Sequence, residues 1–544
     1  MCSCPVSRAT LREAGRRAGD GTMAIFNPQP DVTGPVDTRY LVAWQEGFAI
    51  GTVFTGDGTI AVLTASGTGL QLTYLGQSMT QNGTVPIGGT FDTMSYEIDT
   101  GSGPETQGIL SGISPAASFA DIITLNAYRI FDGSDTINGT TFGGDFLFAG
   151  YGGNDILDGK GGGDQFEVPV RAGIPTLTIK GAAAIADTLF VVKNTYDTSA
   201  TALDLRSSAL TSIDAITLDP GAVVTINSGQ LGAGISGGAV IGATSGTATF
   251  DVVKSFDGGT LDLQGKLDVN PNTMLRIFGT PTAETILGTD RADTFFGKEG
   301  ADTLNGRGGN DTFWIDGVKD EFDTINGGSG IDTLRALEGI PVLNGFNAKA
   351  SSIEVLAGYF SGNAGANTFD LRGLSEPSGE SLVFGADGDD TLMAPDFFVG
   401  LFGGNGKDTL VGGKGGDFLA GQLGADTLTG GGDADAFLYY ELAESGPKKS
   451  LRDTITDFDA KKDVIGILAG ANDRLDDVQR FKFVKKEGAG FKKKPGSIVW
   501  EQIDKKGTAK DMTIVYADTN GDKKADFALQ LKGLVELSKG DFLL

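Results

Sequence analysis

The feature that most constrains the fold is a nine-residue repeat that recurs along the chain. Consecutive units begin at Gly403, Gly412 and Gly421, a looser copy begins at Gly430, and an earlier run begins at Gly288. Aligned on position six, the units carry an Asp at each of twelve places: Asp155, Asp164, Asp293, Asp302, Asp311, Asp323, Asp332, Asp390, Asp408, Asp417, Asp426 and Asp435. A repeat of this kind predicts a solenoid, to which every unit adds the same structural element.

The other conserved positions of the unit indicate how it folds. Position one is Gly in every unit but one, and position four is mostly Gly, which permits tight loops and converging carbonyl groups. Position eight is always apolar, so the end of each unit predicts a very short strand with one inward side chain. Those residues are Leu157, Phe166, Phe295, Leu304, Phe313, Ile325, Leu334, Leu392, Leu410, Leu419, Leu428 and Phe437.

Two such units, eighteen residues, would complete one turn of a flattened parallel solenoid. Asp residues eighteen apart then stack on one edge, where their carboxylates repel each other. A hard cation that takes six to eight oxygen ligands removes this repulsion and uses the loop carbonyls as well. The spacing therefore predicts Ca²⁺ between the coils, and the alternative is a set of Gly-Asp turns between strands without metal.

Composition excludes several classes of function. The chain has 544 residues, 85 Gly, no His and a formal net charge of -27. The absence of His excludes His-ligated zinc sites and Ser-His-Asp or Cys-His catalysis. The acidic balance argues against nucleic acid as a partner. The two cysteines, Cys2 and Cys4, exclude a disulfide framework, and no apolar run reaches the roughly 18 residues of a membrane span.

The tandem units resemble the RTX, or hemolysin-type calcium-binding repeat, family. The resemblance implies that each Ca²⁺ lies between two loops one coil apart. It implies that one loop supplies its Asp and the carbonyls of positions two and four, and the next loop its Asp and the carbonyls of positions one and three. The implied sets are Gly404, Gly406 and Asp408 with Gly421, Leu423 and Asp426; Gly413, Gly415 and Asp417 with Gly430, Gly432 and Asp435; and Thr289, Arg291 and Asp293 with Gly306, Gly308 and Asp311.

The C-terminal region carries a second resemblance. The segments LRDTITDFDAKKDVIGI and MTIVYADTNGDKKADFALQLKG, and the final LSKGDFLL, resemble the C-terminal region of serralysin-type metalloproteases. The resemblance implies a cap on the roll and an uncleaved signal for type I secretion. The protease domain is not implied, because its zinc motif needs histidine. Asp518, Asn520, Asp522 and Asp526 have the spacing of a calcium loop, and the alternative is an Asn-Gly hairpin.

We therefore expect an all-β chain, with parallel β-roll or β-solenoid blocks between an N-terminal β domain and a C-terminal β cap. The expected segments are 1–22 as a leader or mis-assigned start, with Met23 as the alternative start; 23–128, an N-terminal β-rich domain; 129–167, a first RTX block; 168–280, an apolar solenoid or sandwich; 281–338, a second RTX block; 339–384, a metal-free β segment; 385–440, a third RTX block; and 441–544, the cap.

The predicted function is that of a secreted calcium-binding protein of a Gram-negative bacterium, extracellular or at the cell surface. It would leave the cell through a type I secretion apparatus and fold on Ca²⁺ outside, as a surface, matrix or adhesive protein. The alternative is a polysaccharide-modifying enzyme with carboxylate catalysis in 168–280. Lys485, Lys486, Lys492, Lys493 and Lys494 form either a surface for cell-surface polysaccharide or a solvated hairpin loop.

Overall fold

The computed structural model is built almost wholly of β-strands. It describes residues 48–543 except 56–57, 66–69, 83–84, 100–103, 112–116, 119–135, 139–145, 150–153, 172–174, 183–184, 194–201, 257, 316–321, 338, 378–380, 470–480, 493–494 and 507–508. The expectations for 1–22 and for the start at Met23 lie outside these residues. The helices in the described part are three-residue 3-10 turns: Ser228–Gln230, Leu442–Glu444, Lys449–Leu451 and Lys539–Asp541.

From Thr136 onwards the strands are mostly short, because each nonapeptide has room for only a few extended residues between its loops. In chain order the first are β1 Phe48–Thr55, β2 Gly58–Ala65, β3 Leu70–Asn82, β4 Val85–Asp99, β5 Pro104–Ser111, β6 Ala117–Ser118, β7 Thr136–Asn138, β8 Phe146–Phe148, β9 Ile156–Asp158, β10 Gln165–Pro169, β11 Thr178–Lys180, β12 Thr188–Val192, β13 Ala202–Asp204, β14 Ala209–Thr211, β15 Ile213–Leu218, β16 Val223–Asn227, β17 Ile235–Ala243, β18 Ala248–Val253, β19 Thr260–Asp262, β20 Leu267–Val269 and β21 Thr273–Phe278.

The remaining strands continue the same pattern to the end of the chain. They are β22 Thr285–Leu287, β23 Asp293–Phe296, β24 Thr303–Asn305, β25 Thr312–Ile315, β26 Thr324–Asn326, β27 Thr333–Ala336, β28 Val342–Leu343, β29 Phe346–Asn347, β30 Val355–Ala357, β31 Tyr359–Gly362, β32 Thr368–Asp370, β33 Glu376–Pro377, β34 Leu382–Asp387, β35 Thr391–Met393, β36 Gly400–Gly406, β37 Thr409–Val411, β38 Phe418–Gly424, β39 Thr427–Thr429, β40 Ala436–Tyr439, β41 Thr454–Ile455, β42 Val464–Ile467, β43 Lys482–Phe483, β44 Ser497–Ile503, β45 Met512–Asp518, β46 Phe527–Lys532 and β47 Phe542–Leu543.

The described residues form two compact units. The first extends to Ser255 and includes Leu263–Ile277. In it, β1 to β5 form an antiparallel meander, and β5 pairs with β7, from which β9, β11 and β14 continue in parallel. Two further sheets have the orders β20-β17-β15-β12-β10-β8 and β13-β16-β18-β21. The strands of 168–280 thus pair in parallel, as coils of a solenoid do.

The second unit comprises Phe256–Asp262 and Phe278–Leu544. Its sheets have the orders β19-β22-β24-β26, β23-β25-β27-β30-β33, β28-β31-β34-β36-β38-β40-β42-β47 and β29-β32-β35-β37-β39-β41-β46-β45-β44-β43. Thr391, Thr409 and Thr427 pair in register, which confirms the eighteen-residue coil. The chain is an all-β fold with parallel sheets of the β-roll kind, as the repeat predicts.

The position-eight side chains form part of the core within each unit. All twelve are buried, with relative exposures between 0% and 9%. Neighbours on adjacent strands stack on each other, as Phe295 and Phe313 do, with ring centroids 4.7 Å apart and planes at 10°. Each fully buried Leu or Phe contributes about 1.5–3 kcal/mol of transfer free energy, so every coil adds its own share of the core.

The last ninety residues extend both sheets of the roll. β41 pairs in parallel with β46, and β42 pairs in parallel with β47. β44, β45 and β46 form an antiparallel meander in the sheet of β41. The antiparallel strands end the parallel progression, which is the arrangement expected of a β cap.

Candidate metal centre

The position-six aspartates form hydrogen-bonded ladders along the edges of the coils. On one edge the backbone N–H of Asp390 donates to Oδ1 of Asp408 at 2.8 Å, and that of Asp408 donates to Oδ1 of Asp426 at 2.8 Å. The N–H of Asp426 donates in turn to Oδ1 of Asp453 at 2.9 Å. Each carboxylate that accepts such a bond therefore lies between its own coil and the preceding one.

The same arrangement recurs on other edges. On the opposite edge of the third block, the N–H of Asp417 donates to Oδ1 of Asp435, whose N–H donates to Asp463. The remaining ladders run from Asp293 through Asp311 and Asp332 to Glu354, from Glu284 through Asp302 to Asp323, and from Asp164 through Asp187 to Asp214.

The second carboxylate oxygen is what makes these ladders candidate metal sites. Among the described residues, Oδ2 is buried and has no hydrogen-bond partner in Asp311, Asp332, Asp390, Asp408, Asp426 and Asp453. A buried polar atom without a partner costs free energy, and a buried carboxylate costs more than a neutral group. A hard divalent cation is the partner that would offset this cost, so the residues present fit calcium.

Backbone carbonyls point into the same spaces. A Cβ added to Gly404 would collide with the carbonyl oxygen of Ala386, and one added to Gly406 with that of Gly388. Carbonyls of positions two and four therefore point towards the next coil. The carbonyl of Gly421, at position one, points back towards Gly403. Within the described part of the chain, no three acidic, Cys or His side chains converge, so the oxygen donors offered are carboxylates together with carbonyls.

The glycines have different roles at different positions. At position four, Gly406 and Gly388 have φ of 147° and 117°, a backbone conformation that side chains rarely adopt. Position two is also left-handed, but at 67° in Gln422 and 73° in Arg307, which non-glycine residues tolerate. Position one is Gly for lack of space, because a Cβ at Gly403 would overlap the carboxylate of Asp408.

With no metal bound, burial raises the pKa of several ladder carboxyl groups, and in most of them neighbouring carboxylates raise it further. The pKa is raised to about 7 in Asp408 and Asp426, to about 8 in Asp311 and to about 6 in Asp435. It is also raised in Asp390 and Asp417, chiefly by burial. Several carboxyl groups of the metal-free edge are therefore partly protonated at neutral pH.

We expect the metal-free protein to become more stable as the pH falls from about 8 to about 5. These pKa values lie above the unfolded value of about 3.9, so folding takes up protons. The stabilisation is complete below about pH 4 and is lost as the pH rises through about 6–8. Urea unfolding in a calcium chelator, followed by circular dichroism, measures the effect. Higher stability at pH 8 than at pH 5 would contradict it, and saturating calcium should weaken the dependence.

In the implied ligand set of the second block, Asp293 already has protein partners. The Thr289 N–H donates to Oδ2 of Asp293 at 2.6 Å, and the Thr289 hydroxyl lies 3.1 Å from both carboxylate oxygens. The Arg307 guanidinium donates to the carbonyl of Gly288 at 2.8 Å. The backbone N–H of Arg291 donates to the Thr289 hydroxyl. A side-chain cation and a hydroxyl thus stand beside Asp293.

Asp155 of the first block is held by an arginine. Nη2 of Arg171 lies 3.2 Å from Oδ2 of Asp155, and the two side chains are 6% and 0% exposed. Burial lowers the pKa of Arg171, and the nearby Asp155 offsets part of that effect. A buried pair of this kind is costly to break from either side, because the remaining charge would stay buried.

The C-terminal candidate loop connects β45 and β46. Both oxygens of Asp518 accept from loop amides, at 2.6 Å from Gly521 and 3.0 Å from Lys523. Asp526 accepts from Thr519 and Asn520, and the Asn520 side chain accepts from Asp522. The loop between β45 and β46 is thus held by its own side chains. Lys485, Lys486 and Lys492 are exposed, and the other two lysines of that cluster lie outside the described residues.

Several ladder members were missed from the sequence, most because they do not follow the nonapeptide spacing, and Glu284 and Asn367 because position six is not Asp. They are Asp187, Asp214, Glu284, Glu354, Asn367, Asp453 and Asp463. The available signal was a recurring phrase, Ser-Ile followed by an acid, at Asp214 and Glu354. Both residues accept the backbone N–H of the preceding ladder Asp, at 3.0 Å and 2.9 Å. The phrase therefore marks a coil that continues a ladder.

The comparison with protein families agrees with this geometry. Residues 278–314, 320–339 and 402–437 match the RTX calcium-binding nonapeptide repeat, in four copies. The chain therefore carries RTX calcium-binding repeats, and repeats of this class bind calcium. A search of curated proteins gave no significant match. Among the described residues, no helix is long and apolar enough to cross a membrane.

Proposed function

We propose that the chain is an extracellular structural protein of a Gram-negative bacterium, whose β-roll folds on Ca²⁺ after type I export. The buried carboxylate oxygens without hydrogen-bond partners, such as Oδ2 of Asp408 and Asp426, carry the proposal. Without a cation they destabilise the folded coils, and with one they become ligands. Calcium inside cells lies far below the 10⁻⁴–10⁻³ M dissociation constants typical of extracellular modules, so folding is delayed until the chain is outside.

The energy available from calcium is of the size that folding needs. A site at about tenfold excess of calcium over its dissociation constant adds about 1.4 kcal/mol to the folded state. Domains are stable by only about 5–15 kcal/mol, so a few such sites decide whether the coils fold. Calcium binding and folding are therefore coupled.

The C-terminal resemblance to serralysin-type proteins supports the export route. The final Asp541, Phe542 and Leu543 have the acidic and apolar character of that family's secretion signal. In the folded chain Asp541 is buried, and Phe542 pairs with Ile465 of the roll. Asp541 and Phe542 are therefore more accessible while the chain is unfolded, which fits export before calcium is met.

The test is a calcium titration of the full chain, followed by far-UV circular dichroism and started in a chelator. We expect a cooperative gain of β-structure near about 1 mM Ca²⁺. Mg²⁺ is the control and should give no transition, because it demands a smaller octahedral site. A spectrum that is already fully β in chelator and does not change with Ca²⁺ would contradict the proposal.

A further inference from the structure

A thirteenth nonapeptide lies just before the third block, and its position six is not an acid. Residues 362–370 have Gly362 at position one, Gly365 at position four and Phe369, 1% exposed, at position eight. Position six is Asn367, which is buried and whose N–H donates to Oδ1 of Asp390 at 2.6 Å. Asn367 is therefore a member of the same ladder as Asp390.

The side-chain nitrogen of Asn367 is surrounded by oxygens. Nδ2 donates to the carbonyl of Asn363 at 3.0 Å and to that of Gly365. It lies 3.4 Å from the carbonyl of Gly385 and 3.1 Å from Oδ1 of Asp390. The side-chain oxygen faces a donor instead, the N–H of Asn363, at 3.3 Å. These surroundings define which end of the amide is nitrogen.

The four oxygens are equivalent to those that a calcium ion would use in the neighbouring coils. Asn363 and Gly365 stand at positions two and four of one loop, Gly385 stands at position one of the next, and Asp390 is the next ladder Asp. In the third block, the carbonyls of those same positions point into the space between coils. An amide nitrogen thus stands where the cation is expected.

We propose that the Asn367 amide takes the place of calcium between 362–370 and the coil that follows. The inference rests on the proposed calcium sites and adds that this one joint is closed to metal. A neutral amide supplies hydrogen-bond donors to the converging carbonyls, so the joint holds together without a cation. β32 and β35 pair across it, Thr368 with Thr391. This pairing gives the calcium-dependent coils a metal-independent edge on which to stack.

Asn367→Asp in the full chain tests the inference. The new carboxylate faces three carbonyls and Asp390, an arrangement that needs a cation. Bound calcium is counted by equilibrium dialysis and atomic emission, and melting is followed in calcium and in chelator. We expect one more calcium per chain than in the wild type, and a melting temperature that falls by several degrees in chelator alone.

Asn347→Asp is the matched control, because it makes the same change of charge outside the joint. The Asn347 side chain is exposed, and its oxygen accepts from the N–H of Ala350 at 2.8 Å, a role that Asp preserves. The control should keep the wild-type calcium count. Asn367→Ala, which adds no carboxylate, should also keep that count and should melt at a lower temperature both with and without calcium.

The possible results separate the inference from the function on which it rests. A wild-type chain that binds no calcium contradicts the proposed function. A wild-type chain that binds calcium, with an Asn367→Asp variant that gains none or does not fold in calcium, overturns the inference alone. A loss of stability in Asn367→Ala that appears only in calcium would also overturn it.

Discussion

An Asp408→Asn variant is expected to bind less calcium than the wild type and to be more stable than the wild type in chelator. Asp408 accepts from Asp390, and its own N–H donates to Asp426, so its carboxylate lies in the middle of a ladder. Its Oδ2 is buried without a partner. A neutral amide removes this buried charge and supplies donors to the loop carbonyls, as Asn367 does.

The magnitude of the effect follows from the sites that Asp408 faces. Loss of one or two sites at tenfold calcium excess costs about 1.5–3 kcal/mol of unfolding free energy in calcium. In chelator we expect a gain of about 1 kcal/mol. Denaturant titrations in both conditions, with a calcium count, measure the two changes.

Asp389→Asn is the control for that substitution. Asp389 precedes Asp390 in the chain and is exposed, and it accepts from the N–H of Lys407 at 2.8 Å. Asp389→Asn makes the same change of charge outside the ladder. It should therefore change the free energy of unfolding by no more than about 0.5 kcal/mol, both in calcium and in chelator. Equal effects of the two substitutions would mean that general charge repulsion, and not a calcium site, explains the result.

Gly403→Ala is expected to destabilise the calcium-loaded protein by about 3 kcal/mol or more. The new Cβ would overlap Oδ2 of Asp408 and approach the carbonyl oxygen of Gly421 to 2.6 Å. The carboxylate must turn away or the next coil must move, and overpacking in a tight site commonly costs 1–3 kcal/mol before any ligand is lost. Thermal unfolding in calcium and the calcium count measure the two parts of the effect.

Gly490→Ala is the matched control, because a Cβ there meets nothing within 4 Å. Its stability should stay within about 0.5 kcal/mol of the wild type. A Gly403→Ala variant as stable as this control, with an unchanged number of bound calcium ions, would show that position one does not need to be empty.

The sequence predicted the periodic part of this structure because each coil repeats the same local chemistry. The inward position-eight residues and the pairing of Asp408 with Asp426 follow from the eighteen-residue spacing alone. The ladder ends could not be found this way, since insertions change the spacing. Asp426 is 27 residues from Asp453, and Asp332 is 22 from Glu354.

Substitutions inside the pattern hid other parts of the site. A pattern that requires Asp at position six misses Asn367, although the glycines of its unit and Phe369 fit the repeat. The arginine that meets Asp155 lies sixteen residues away and has no place in the repeat. Side-chain nitrogens can satisfy the same oxygens as a cation, and only the three-dimensional arrangement distinguishes the two.

The pairing of β42 with β47 has a consequence for the order in which this sheet closes. Phe542 and Leu543 pair with Ile465 and Gly466, which lie far away in the sequence. Such a contact costs loop-closure entropy before it contributes any stability. The strand pairs between successive coils join residues much closer in the sequence, so we expect them to form first and the edge at β47 to close last.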